Sequence, residues 1–211
     1  SYELIESYGK ENYDGGTFFT IGTGGNHEVI GTIRNTAAGG ETISSVSFSI
    51  REQVNGVVGN IYCVISKTTG TIGTDAKSDG DFIASSNRVD ASALGTTDTV
   101  VNFTFPEPVV LDGSTDYFFG LNGQGLSGQA VRMNSDSSSP PATQRDSYLT
   151  GSYVWTTNAS TLVSYFYGLK NLNLTTKGSD SLTATSPASA PTNGYFQALL
   201  DENTLSGTSV W

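Results

Sequence analysis

Between Val100 and Leu121 the chain reads VVNFTFPEPVVLDGSTDYFFGL. Val101, Phe103 and Phe105 fall on one side of an extended backbone, and Asn102 and Thr104 on the other. A repeat of two marks a strand with one buried face. Pro106 and Pro108 cannot donate to a ladder, so they place this strand at a sheet edge or strand end. Asp112, Gly113 and Ser114 form a turn, after which Tyr117, Phe119 and Leu121 restart the period.

The same alternation recurs in SYELIESY, TFFTI, HEVIGTIRN, ISSVSFSI, VVGNIYCVI, DFIASS, QAVRM, SYVW and LVSYFYGL, and in LNLTT. Turn-forming clusters separate these runs: AAGGE, QVNG, TTGTIGTDAKSDGD, NGQGLSG and NSDSSSPPATQRD. No helical period is sustained, and VDASAL has room for one short turn. Many short strands between turn signals predict an all-β protein, closed as an antiparallel jelly-roll β-sandwich of two sheets. The chain has 211 residues, a length that one sandwich can fill. Residues 1–176 are expected to form it. Residues 177–194 are rich in Ser, Thr, Ala and Pro and read as a linker, and 195–211 as a tail strand.

Charged residues make up 14% of the chain, so Ser, Thr, Asn and Gly must supply much of the polar surface. The net charge is -10 and basic residues are not clustered. That surface repels phosphate backbones and anionic lipid, which argues against nucleic acid as a partner. No run of apolar residues is long enough for membrane insertion as a helix. Cys63, the single cysteine, alternates with Tyr62 and Val64 and reads as a small buried apolar group.

The order of TISSVSFSIRE, GNIYCVIS, IASSNRVDASAL and VVNFTFPEPVVLDGSTDYFFGLN resembles the jelly-roll modules called choice-of-anchor domains, and GSYVWTTNASTLVSYFYG looks like their closing strands. The likeness covers roughly residues 13–169. It implies a carbohydrate-binding-like or adhesive module of the kind found in phage tail and virion proteins and in secreted microbial surface proteins. The matching motifs are architectural, so no functional residue is carried over with them.

Catalytic signatures are absent from the sequence. His27 is the only histidine, on a loop edge, and no G-x-S-x-G elbow accompanies it. One histidine and one cysteine do not make a zinc site. GTGGN is glycine-rich but precedes no helix. No cofactor is required, and calcium is the inorganic ion that the loops suit best. Hard cations want several oxygens from one loop, and Asp79 and Asp81 in TDAKSDGDF are the preferred pair. Sugar binding needs exposed aromatic faces beside amides and carboxylates. Trp155, Tyr153 and Tyr148 are the leading residues for it, with Tyr165 and Tyr167 behind them. Asn102, Asn158 and Asn173 head glycosylation sequons.

The expected function is non-enzymatic: an extracellular, cell-surface or virion module that attaches to a host cell, glycan or matrix. Its partner would be a host-surface glycan or protein. One alternative is the structural subunit of a filament or capsid decoration, self-assembling through its terminal strands. Another is a carbohydrate-active enzyme.

Overall fold

Alternation becomes strand along the chain. The computed structural model describes residues 2–9, 13, 15–22, 27–138, 141 and 144–170. The strands are β1 (Glu3–Tyr8), β2 (Phe18–Ile21), β3 (His27–Asn35), β4 (Glu41–Glu52), β5 (Asn60–Thr69), β6 (Lys77–Ser85) and β7 (Val89–Asp90). After them come β8 (Thr99–Leu111), β9 (Asp116–Asn122), β10 (Val131–Asp136), β11 (Gln144–Thr150), β12 (Trp155–Asn158), β13 (Thr161–Leu162) and β14 (Ser164–Lys170). Among the described residues the one helical element is a 3-10 turn, Ala91–Ala93, inside VDASAL. No helix there is long and apolar enough to cross a membrane.

One leaf runs β1-β14-β4-β8, each pair antiparallel. The other runs β12-β11-β3-β9-β5-β6, also antiparallel. β10 bridges them: Met133 pairs with Ile50 on β4 and with Phe19 on β2, and β2 meets β3 in parallel at Ile21 and His27. Among the described residues all fourteen strands thus form one mixed sheet, folded into a sandwich-like body.

The inner faces are the apolar rows of the sequence. Val46, Phe48, Phe103 and Phe166 come from one leaf, and Ile30, Cys63, Ile65 and Phe119 from the other. Phe119 and Phe166 meet edge to face across the gap, 4.9 Å between ring centres. Ile61, Ile50, Phe105 and Tyr117 are buried with them, and Val101 is half-buried against the same cluster. Among the described residues β8 pairs with β4 alone, so Pro106 and Pro108 lie on an edge strand. The stretch that holds them faces the register break between Ile43 and Ser45.

Three assignments shift. β6 reaches back to Lys77 through a kink at Gly80, whose φ of 85° suits glycine. SYV of SYVW is the bend between β11 and β12, and Trp155 opens β12; the Tyr153 N–H donates to the Thr150 carbonyl at 2.8 Å. β11 itself starts at Gln144, inside a stretch that reads as loop. The second leaf is also covered on its outer face: Val29, Ile33, Val64 and Phe118 pack under Ile72, Ala76 and Trp155. β1 lies on β14 of its own chain, and the proposed tail strand, 195–211, falls outside the described residues.

Between the leaves lies a charge. Arg34 on β3 is fully buried. Its Nη1 donates to Glu6 Oε2 at 3.0 Å and Glu41 Oε1 at 3.3 Å, and Nη2 donates to Glu41 Oε2. The guanidinium also lies 4.4 Å from the centre of the Phe166 ring and 5.1 Å from that of Phe119. Removing one partner of a buried pair leaves the other charge without compensation. Glu41→Ala should therefore lower unfolding free energy in a denaturant titration by about 3–5 kcal/mol. A loss below about 1 kcal/mol would show that Glu6 alone answers the charge.

Candidate functional site

The outward row of β4 is made of serines. The register break after Ile43 turns both Ile43 and Val46 inward, which leaves Ser45, Ser47 and Ser49 on the face away from the core, where larger neighbours bury all three. Small side chains on a central strand leave a trough if the neighbouring strands carry larger ones. β14 supplies Tyr165 opposite Ser47 and Tyr167 opposite Ser45. β8 supplies Val100 opposite Ser49, Asn102 opposite Ser47 and Thr104 opposite Ser45. Tyr2, ahead of β1, adds a ring that is 48% exposed.

The result is an open groove of about 430 Å³ lined by Tyr2, Ser44, Ser45, Ser47, Val100, Asn102 and Tyr167. That volume lies in the range of about 300–1,000 Å³ of small-ligand sites. Among the described residues, none of the lining side chains is charged. The floor is braced: Ser47 Oγ donates to Asn102 Oδ1 at 2.9 Å, and Asn102 Nδ2 donates to Thr104 Oγ1 at 3.0 Å. The amide keeps one N–H and one oxygen lone pair for a ligand. Ser44 Oγ donates to the Tyr167 carbonyl at 3.0 Å, fixing the strand that carries the second ring.

The residues predicted for sugar binding do not share one platform. Trp155 is half-buried, its ring 5.2 Å from Phe118 and 6.5 Å from Phe82, and it packs over Gly80. Tyr148 sits on the opposite face of the β11–β12 hairpin, 4.3 Å from the ring of His27. Tyr153 occupies the bend, 71% exposed with a φ of 58°. Tyr167, which alternates with the core residue Phe166, is the predicted aromatic that reaches the groove. His27 is half-buried against Phe19 and Tyr148 rather than solvated, and burial lowers its pKa.

Asp79 and Asp81 are exposed on β6. Asp79 Oδ1 accepts the Asp81 N–H at 3.0 Å, a bond that shapes the kink. Among the described residues no three His, Cys, Asp or Glu side chains group as metal ligands do. Asn102 forms part of the groove floor, Asn158 is exposed at the end of β12, and Asn173 lies outside the described residues. Burial pushes the Cys63 thiol up, which makes it unreactive at neutral pH.

One titratable group was not legible in the sequence. Asp146 on β11 is fully buried. Its Oδ2 accepts from Ser160 Oγ at 2.7 Å and Ser135 Oγ at 3.0 Å, and its Oδ1 from the Leu162 N–H at 2.8 Å. Burial pushes the carboxyl up to about 7, against these hydrogen bonds and the charge of Arg145, all of which favour the ionised form. The protonated acid also fits, because Ser135 Oγ lies 3.2 Å from the Thr161 carbonyl and can turn to it.

Fold and groove together define an all-β, sandwich-like protein with a neutral, aromatic-walled surface groove. No family model matches the chain, and a search of curated proteins finds no match to it.

Asp146 sets a pH dependence with a definite sign. Its folded-state pKa is raised, so the folded state holds the proton more tightly than the unfolded chain does. The stabilisation is complete below the unfolded carboxyl value of 3.8 and is lost as pH rises through about 7. Between pH 5 and pH 8 the wild-type protein should lose on the order of 2–4 kcal/mol at this residue, read as a falling melting temperature. Asp146→Asn should flatten that slope, and an unchanged slope in the variant would assign it to other groups.

Proposed function

We propose that this chain is a non-enzymatic attachment module of jelly-roll type, acting outside the cell, at a cell surface or on a virion. It holds surface glycan in the groove over β14, β4 and β8. The observation that carries this reading is the pairing of aromatic walls, Tyr2 and Tyr167, with a floor of serine hydroxyls and the Asn102 amide. A sugar ring presents an apolar C–H face and a rim of hydroxyls. Tyrosine rings suit the face, and a braced amide with one donor and one acceptor to spare suits two adjacent hydroxyls. Val100, 44% exposed, extends the apolar wall.

The absence of charge from the described lining, in a chain of net charge -10, favours neutral saccharides over sialylated or sulfated ones. Consecutive long strands change leaf, from β3 to β4 and from β4 to β5, as a jelly roll requires, and the first two quoted choice-of-anchor motifs, TISSVSFSIRE and GNIYCVIS, fall on β4 and β5. No cofactor enters the reading.

A glycan array of neutral and acidic saccharides provides the test, followed by calorimetry on the strongest binder. Neutral saccharides should be retained, and Tyr167→Ala should weaken binding at least about tenfold, the loss of an anchor ring being worth more than about 1.4 kcal/mol. Tyr167 faces outward, so the variant should keep the wild-type melting temperature to within a few degrees. Silence across the array, or undiminished binding by the variant, would remove the groove as a glycan site.

A further inference from the structure

We propose that the pocket beside Arg145 is a second binding site, taking a single small carboxylate such as an acidic sugar carries. It does not depend on the groove, because a different leaf supplies it. Arg145 lies half-buried on β11. Its Nη1 donates to the Pro141 carbonyl and, at 2.7 Å, to that of Gln144. Nε and Nη2 donate to no described residue.

The other arginines are answered. Arg34 has Glu6 and Glu41, and Arg51 Nε lies 3.3 Å from Asp98. The guanidinium of Arg88 lies 4.8 Å from the centre of the Tyr62 ring and that of Arg132 3.9 Å from that of Phe18. Among the described residues, Arg145 has neither a carboxylate at ion-pair distance nor a ring beneath it.

Its surroundings are those of an anion site. Arg145 borders a cavity of about 140 Å³ whose other walls, among the described residues, are Gly73, Thr74, Thr157, Asn158 and Ala159. These described residues offer hydroxyl, amide and backbone groups and no carboxylate, in a chain with 20 acidic residues. The acid that feels the charge of Arg145 is its neighbour Asp146, which points to the other face of the strand. Burial raises the Asp146 carboxyl toward its neutral form, so it answers the guanidinium only in part. A planar fork with free N–H groups, partly withdrawn from water, is matched by a carboxylate that takes two parallel hydrogen bonds. The small cavity admits that group and excludes a polyanion.

Amide NMR on the full chain tests this, with sodium glucuronate, sodium acetate, inorganic phosphate and glucose as separate probes. Glucuronate and acetate should each shift the signals of Gly73, Thr74 and residues 157–159 saturably, and glucose should not. Tighter binding of glucuronate would assign the carboxylate to a sugar, and equal binding to the carboxylate alone. Arg145→Gln should weaken both at least about tenfold, as expected for a lost charge-assisted pair. Filling the site should also move the titration midpoint of the Asp146 carboxyl upward, because the bound anion cancels the charge of Arg145. Should Arg145→Gln fail to fold, Arg145→Lys decides, since it keeps the charge and loses the fork; wild-type affinity there would overturn the proposal. It is also overturned by shifts with glucose, by no saturable shift with either carboxylate, by tighter binding of phosphate, or by an unmoved Asp146 midpoint.

Discussion

A guanidinium withdrawn from water must be met by carboxylates, and Arg34 imposes that condition on four elements at once. It stands on β3 and requires Glu41 from β4 and Glu6 from β1, while its flat faces need Phe119 and Phe166 from the two leaves. Glu41 Oε1 also accepts the Ala37 N–H at 3.0 Å, which ties the β3–β4 turn to the same charge. Glu6 Oε1 accepts from Gln144 Nε2 at 2.7 Å, which brings in β11. Such a pair adds little net stability over an apolar core of the same shape. Its effect is on register. A slip of one residue on β1 or β4 would turn a glutamate to the outside and leave Arg34 buried alone.

The groove is a consequence of that register. Glu6 points inward to Arg34, and the bulge between Leu4 and Glu6 lets the preceding residues change phase. Leu4, 52% exposed, lies opposite Tyr167, and Tyr2 reaches the groove beyond it. On β4 a second bulge, at Ser44, turns Ile43 and Val46 to the same side and sets the serine row outward. Two irregularities, each next to a residue the core demands, thus place two aromatic walls beside a floor of hydroxyls. Neither wall would face the other if the strands kept perfect alternation.

Alternation made the inner core legible. Phe48, Ile61, Cys63, Phe103 and Phe119 lie where the period puts them. It could not reveal that Val64 and Phe118, on the opposite faces, are also buried, because their cover comes from the loop of Ile72 and the Trp155 hairpin. Nor could it show the groove. Ser45, Ser47, Asn102 and Tyr167 become neighbours through pairing of strands far apart in the chain, and no local pattern encodes that pairing. Asp146 was hidden because its stretch, NSDSSSPPATQRD, has the composition of a loop. Its burial rests on Ser135, Ser160 and Leu162, hydrogen-bonding partners that only the folded chain assembles. The aromatic residues near residue 150 divided for the same reason: Trp155 and Tyr148 alternate across one hairpin, so each became packing for a different face.

On the proposed reading both sites are weak by construction. The groove is open to solvent, and the pocket beside Arg145 offers one cation to one carboxylate. Each keeps its ligand partly hydrated, which limits the energy gained from any single contact. Attachment to a surface does not require more. A cell coat or matrix repeats its saccharides, and a module shown in several copies, or through both sites at once, turns the second contact into an intramolecular one. Under those conditions the more important property is discrimination. On the proposed reading, a net charge of -10 keeps the body of the protein away from polyanions, the groove would admit uncharged sugars, and the small pocket would admit a carboxylate only where one projects singly.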